Sequence, residues 1–245
     1  MTTPAQVEAF LNQGHRNPAR RFPQQEVPFA GRTALKGLHV DVERFKPRAG
    51  AKARIAAELG IGDAIPIVGV VGRFHTDKDF ANVINVGTLL SVKGHEFHLV
   101  LVGPGADRAK GSFADARHRS ALQERVTRLG RRDDVAELMA GFDILCSCSA
   151  SHAFSNVIGE AMASGVPCVV TDVGDSARIV GSTGIVVPPQ NPEALAHGLS
   201  RLLALDPERR RQLGLAARWR IIDHFNLADV VEQDEALYRS VIPCG

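Results

Sequence analysis

The stretch from Ile65 to Asp79, IPIVGVVGRFHTDKD, decides the fold. Its first half is an apolar, β-branched run bounded by Pro66 and Gly72, with no polar position to mark a solvent face. Such a run suits a strand covered on both sides, as in a parallel sheet. Before it, Ala51–Leu59 reads as a helix, and Gly60 suits the cap that follows. After it the pattern alternates. A helix is predicted over about Asp79–Val92, then a strand over Phe97–Val102 ending in Gly103-Pro104-Gly105. A helix over Ala114–Leu129 and a short one over Val135–Ala140 lead to a strand at Asp143–Ser147. A helix from Asn156 ends at Gly165; then come strand Val166–Thr171, a helical turn at Ser176–Val180 and strand Gly184–Val187. Helices at Pro192–Leu205, Pro207–Phe225 and Leu227–Ser240 close the chain. Strand–helix alternation with short loops predicts an α/β domain built on a doubly wound, Rossmann-like parallel sheet.

Residues 1–36 lack this pattern and read as an irregular arm with a short helix near Ala5–Asn12; the domain is placed at residues 37–245. Twenty-nine basic against 27 acidic side chains leave a net charge of +2, so phosphate binding must come from a few placed groups. A nucleic-acid partner would favour a clustered basic face, and none is expected here. No apolar run is long enough for a signal peptide or a membrane span, and a cytoplasmic protein is expected. Cys146, Cys148, Cys168 and Cys244 form no CxxC pair and read as small apolar side chains in a reducing compartment. The histidines show no metal-binding spacing, so no metal site is expected. No GxSxG elbow or GxxxxGK[ST] loop is present.

In such sheets ligands sit beyond the carboxyl ends of the strands, which directs attention to four loops. The first, GRFHTDKD (Gly72–Asp79), sets Arg73 and Lys78 across a turn, a planar fork and a compact charge that suit a pyrophosphate. The same spacing also fits two unrelated cations on a solvated loop. The second, SASHAFSNVIGEAMASG (Ser149–Gly165), opens a helix at Asn156 with Ser155 as a suitable N-cap. Helix N-termini present unpaired amides and a positive pole, an anion seat. Glu160 lies one turn beyond Asn156 on the same face, where it could accept from ribose hydroxyls or stand as an exposed acid. The third, TDVGDSARIVGSTG (Thr171–Gly184), carries Asp172, Gly174 and Asp175 and reads alone as turn chemistry. The fourth, GPGADR (Gly103–Arg108), lacks the third glycine and the acidic partner of a dinucleotide fingerprint, and is read as a turn.

Each signal is weak alone; their order is not. VDVERFKP (Val40–Pro47), VGVVGRFHTDKD, LVLVGPGADR, LGRRDDVAELMAGFDILCSCSAS, HAFSNVIGEAMASGVPCVVTDVGD, STGIVVPPQNPEALA and LGLAARWRIIDHF together resemble the carboxyl-terminal lobe of family-four (group 1) glycosyltransferases. The resemblance runs from about Val40 to Val241. It implies the carboxyl-terminal half of a GT-B fold with closing helices, in a retaining, metal-independent transferase of polysaccharide-biosynthesis type. No cofactor is implied beyond a nucleotide-sugar donor such as a UDP- or GDP-sugar. Residue by residue, Arg73 and Lys78 match the basic pair that holds the donor diphosphate. Glu160 matches the second acid of the family's Glu-x7-Glu motif, which binds the ribose. Phe154, Ser155 and Asn156 match the loop whose amides approach the sugar and phosphates. Arg131 and Val135, in LGRRDDV, resemble the part flanking the nucleobase, and Asp172–Asp175 a loop bordering the donor.

The sequence departs from the family's pattern in two ways. The first acid of Glu-x7-Glu falls on His152. A neutral imidazole accepts one hydrogen bond and a protonated one none. Losing a charge-assisted pair costs about 1.5–3 kcal/mol, roughly ten- to a hundredfold in affinity; an imidazolium could instead pair with a phosphate or a uronate. The second departure is the family's amino-terminal acceptor lobe, which residues 1–36 are too short to encode, since one βαβ unit already takes about thirty residues. The chain is therefore expected to be incomplete as a catalyst, either working with a separate acceptor lobe or cut from a longer protein, with a tendency to form a homodimer through a bare apolar cleft wall. The competing expectation is a non-catalytic remnant or regulatory nucleotide-sugar-binding module; GT-B epimerases and phosphorylases fit the block order less well.

Overall fold

The computed structural model describes residues 40–107, 122, 124–151 and 155–226, with Ala81 described by its backbone alone. The predicted helices at Ala5–Asn12 and Leu227–Ser240, and the boundary at residue 36, lie outside these residues.

Six strands form one sheet: β1 (Ile67–Val71), β2 (His98–Val102), β3 (Val126–Gly130), β4 (Ile144–Ser147), β5 (Cys168–Thr171) and β6 (Ile185–Val187). Their spatial order is β3-β2-β1-β4-β5-β6, and every neighbouring pair is parallel. The chain winds outward from β1 to β3, then returns to the other side of β1 at β4. The β1–β4 junction is therefore the switch point of a doubly wound sheet, where a crevice opens between diverging connections.

Alternation along the strands divides the interior in two. Val68, Val70, Leu99, Leu101, Ile144, Cys146 and Val169 face one core, with Val83, Ile84 and Leu90 of α2 (Phe80–Val92) and Leu195, Leu199 and Leu202 of α6 (Pro192–Leu203). Ile67, Val100, Val102, Leu145, Cys168 and Val170 face the other. That second core is covered by α1 (Ala51–Leu59), α3 (Val135–Ala140), α4 (Asn156–Ala163), α5 (Ser176–Val180) and α7 (Pro207–Phe225). Period-two strands between two helix layers require this double burial, which is why β1 and β2 carry no polar face.

The helix ends follow local chemistry. Asn191 Oδ1 accepts from Ala194 N–H and Asp206 Oδ1 from Arg209 N–H, both at 2.9 Å, and each cap is followed by proline at the first helical position. Gly60 and Gly165 both take the left-handed conformation expected of them as caps. Near the other end of α7, the Arg218 guanidinium donates to the carbonyls of Val42, Phe45 and Ala163. Beside it Val40 forms a parallel bridge with Asn226, its N–H donating to Phe225 O at 3.1 Å.

Several expectations are corrected. Val126–Leu129, read as the end of a helix, belongs to β3. Ser155 occupies the N-cap position of α4, but its side chain makes no capping hydrogen bond. The bare apolar wall is not seen: among the described residues, large apolar side chains stand exposed at Val92 and Trp219, on two different helices. Cys146, Cys148 and Cys168 are buried free thiols as expected. Burial pushes all three up, Cys146 to about 12, so they act as small apolar side chains. No described helix is long and apolar enough to cross a membrane.

Candidate functional site

The loop after β1 is a compact, internally braced turn. Gly72 N–H donates to Val102 O and Phe74 N–H to Pro104 O, each at 2.9 Å, so the loop after β2 buttresses it. The Phe74 and Phe80 rings stack at 4.7 Å and hold the loop's two ends together. Between them Thr76–Lys78 make one 3-10 turn, and Asp79 closes it with φ 48°. Fixing the apolar Phe74 inward leaves Arg73 exposed at the rim, and the stem of Lys78 lies above Gly72, at the carboxyl end of β1.

Gly103, read from sequence as a mere turn, has a structural duty. Its φ is 140°, and a Cβ there would come within 1.9 Å of Gly72 O. Only glycine permits this approach of the two loops. The GPG stretch thus supports the Arg73 loop from beneath.

The loop after β4 is joined to the same turn. Asp77 O accepts from Ala150 N–H at 2.9 Å and from Ser151 N–H at 3.4 Å. Cys148 Sγ donates to Lys78 O at 2.9 Å. On the far side, Thr171 Oγ1 donates to Ser149 O at 2.7 Å, tying in the end of β5. The loops of β1, β4 and β5 therefore form one continuous hydrogen-bonded rim over the switch point. Ser155, buried, leads from this rim into α4, whose first amides point back toward it. Neither the carbonyl of Asp77 nor its side chain was picked out from the sequence. Its carboxylate meets His75 Nδ1 at 2.5 Å, and that contact holds the acid below its ordinary range.

Glu160 is half-buried on the face of α4 that carries Asn156, which is exposed. Burial raises its carboxyl pKa, and the Arg44 guanidinium opposes that shift. Arg44, also missed by the sequence reading, stands over the Phe45 ring at 5.3 Å. It comes from the turn Asp41–Phe45, more than one hundred positions away in sequence. No local spacing could have paired them.

The remaining predicted residues are less closely gathered. Arg131 follows β3, two strands away from β1, and its only described ion pair is with Asp133 at 3.7 Å, in the open. Its neighbour Arg132 bonds Asp134 and Glu58 instead, fastening the loop to α1. Val135 is half-buried against the second core as the first residue of α3. Asp172 is exposed at the end of β5, and Asp175 pairs with Arg178 at 3.4 Å. His152 and Phe154 lie outside the described residues. No cluster of His, Cys, Asp or Glu suited to a metal ion occurs among the described residues.

The chain is thus a doubly wound, Rossmann-like α/β domain with two cations and a helix start at its switch point. Residues 65–205 match the family model for glycosyl transferases group 1, more than half of the chain, and the chain belongs to that family. It is similar to the N-acetyl-alpha-D-glucosaminyl L-malate synthase of Bacillus anthracis, 29% identical over 191 residues, covering 77% of this chain and 49% of the relative. Among solved structures it resembles Anabaena HepE in complex with UDP, with TM-score 0.74 and 22% identity over 83% of this chain and 56% of that one. It also matches the carboxyl-terminal domain of a group 1 glycosyl transferase from Francisella tularensis, with TM-score 0.66 and 20% identity, covering 77% of this chain and 99% of that one. The fold is the Rossmann-like carboxyl-terminal half of the GT-B architecture. The chain spans about half the length of the B. anthracis relative.

Proposed function

We propose that the rim over the β1–β4 junction is the donor seat of a nucleotide-sugar-dependent, retaining, metal-independent glycosyltransferase. The observation that carries this reading is the coupling of the Arg73–Lys78 turn to the loop entering α4 through the Asp77 carbonyl and the Ala150 amide. That bond puts both cations and the start of one helix at a single edge of the sheet. When the bond from the sugar to the diphosphate breaks, negative charge grows on the departing oxygens. Arg73 and Lys78 offset that charge without a divalent cation, from positions fixed before the reaction starts. Glu160, one turn down α4, accepts from the ribose hydroxyls. The resemblance assigns Ser155, Asn156 and Phe154 to the amide edge for the phosphates and sugar, Arg131 and Val135 to the base, and the position of His152 to the sugar. The donor is a nucleotide-sugar, for example a UDP- or GDP-sugar. Transfer requires an acceptor-binding lobe to complete the cleft.

Calorimetric titration with UDP, GDP and ADP in the presence of a chelator tests the reading. One of the three nucleotides is expected to bind without metal. A His152→Glu variant is expected to gain affinity for the sugar nucleotide and not for the bare nucleotide. Binding that appears only with added divalent cation, or with none of the three, defeats the proposal.

A further inference from the structure

A second concavity lies at the opposite edge of the sheet. Asp143 and Pro167 immediately precede β4 and β5, so the cavity they line, about 430 Å³, opens at the amino ends of the strands. The start of α1, the end of α4 and the first turns of α7 complete its wall. This size falls within the range of small-molecule sites.

Its charge is one-sided. Arg48, Lys52, Arg210 and Arg211 line it, against Asp143 alone. Asp143 is already committed: Lys52 Nζ lies 3.0 Å from its Oδ1 and 2.8 Å from its Oδ2, and Oδ2 also accepts from Ile67 N–H at 2.8 Å. Arg211 is held by Glu208 at 2.7 Å. Arg48 and Arg210 pair with no carboxylate among the described residues. Arg48 donates to Arg44 O, and Arg210 Nη1 to the carbonyls of Leu202, Leu203 and Leu205 at the end of α6. Carbonyls satisfy donors but cancel no charge. Arg210 is only 5% exposed. Its Nε and that of Arg48 are withdrawn from solvent without any acceptor. Two guanidinium charges that no described carboxylate offsets thus border the cavity, and an anion entering it would supply the missing countercharge. The start of α1 adds to the positive field, with no side-chain cap at Gly50 and no acid in its first turn.

We propose that this basal cavity is a binding site for a phosphate monoester. The planar fork of Arg48 and the ammonium of Lys52, backed by the positive charge of Arg210, suit the three oxygens and double charge of a phosphate monoester better than a carboxylate. The site is separate from the donor seat, at the other edge of the sheet, and does not rest on the reading of that seat. α4 runs between the two, with Ser155 at the upper rim and Ser164 in the cavity wall.

The test uses the full chain carrying Arg73→Ala, so that phosphate at the upper rim does not mask the result. Inorganic phosphate is titrated by calorimetry into this background, then with Arg48→Gln or Lys52→Gln added. Both added changes lie at partly exposed positions and leave Arg210 in place as the cap of α6. One phosphate per chain is expected, with affinity about tenfold weaker in either variant. Flotation with phosphatidylcholine vesicles, with and without phosphatidic acid, separates the two sources of the monoester. Flotation that needs phosphatidic acid and fails in Arg48→Gln assigns a lipid headgroup; phosphate binding without flotation assigns a soluble ester. Absence of binding in the Arg73→Ala background, or affinity unchanged by Arg48→Gln and Lys52→Gln, overturns the proposal.

Discussion

The carbonyl oxygen of Asp77 lies 2.9 Å from the amide nitrogen of Ala150, joining the turn after β1 to the loop after β4 across the switch point of the sheet. On the β1 side, backbone carbonyls of the turn (Asp77 O and Lys78 O) rather than its side chains thus make the bonds to the loop after β4. Substitution of Asp77 should therefore disturb the rim less than a change in the turn's backbone.

Arg73 and Lys78 have no hydrogen-bonding or ion-pairing side-chain partner among the described residues, so each is free to meet a ligand. Arg73→Ala and Lys78→Ala are each expected to weaken nucleoside diphosphate binding about tenfold or more, the loss of one charge-assisted contact. The melting temperature should stay within a degree or two, since Arg73 is exposed and Lys78 partly so, and surface substitutions of this kind change stability by about 0.5 kcal/mol. Calorimetry and a thermal melt on the same samples separate the two effects.

Gly103→Ala should fail differently. The added Cβ cannot coexist with Gly72 O at 1.9 Å, and the backbone there is left-handed. A loss of about 2 kcal/mol or more is expected, together with weaker nucleotide binding, because the Arg73 loop must move to make room. A variant with wild-type stability and affinity would show that the two loops do not depend on each other.

Glu160 gives a pH signature whose sign follows from its burial. Its folded-state pKa is raised above the ordinary value of 4.5. The folded state therefore holds its proton at pH values where the unfolded state has released it, and stability falls as pH rises from about that value upward through the raised folded pKa. Glu160→Gln is expected to flatten this part of the stability–pH curve and to melt higher than wild type at neutral pH without ligand. If Glu160 accepts from the ribose, the same variant binds nucleotide more weakly. Denaturant titrations at several pH values check the first claim, and calorimetry the second.

Arg218→Ala removes donors from the carbonyls of Val42, Phe45 and Ala163 at once. Hydrogen bonds from charged groups contribute about 1.5–3 kcal/mol, and leaving buried carbonyls unpaired adds to the loss. A clear drop in melting temperature is expected, with nucleotide affinity retained in the folded fraction, since Arg218 lies on α7, away from the rim.

Most of the sheet could be read from residue type alone. β1, β2 and β4 are covered on both faces, and burial left them as uninterrupted apolar runs. β3 could not be read that way. It is an edge strand whose middle residues, Thr127, Arg128 and Leu129, are only partly buried. One neighbour and one open side removed the continuous apolar signal, and the adjoining Gln, Glu and Arg residues suggest a helix locally. At the site, Arg73, Lys78 and Glu160 could be found because side-chain chemistry marks them. The roles of Asp77 and Gly103 are carried by a carbonyl and by a missing Cβ, which residue type does not reveal. The basal cavity draws Arg48, Asp143 and Arg210 from three distant parts of the chain, so no spacing could have signalled it.

The bridge between Val40 and Asn226 brings the two ends of the described fold to one point. Whatever precedes Val40 and whatever follows Asn226 must depart from adjacent anchorages, like two hawsers made fast to a single bollard.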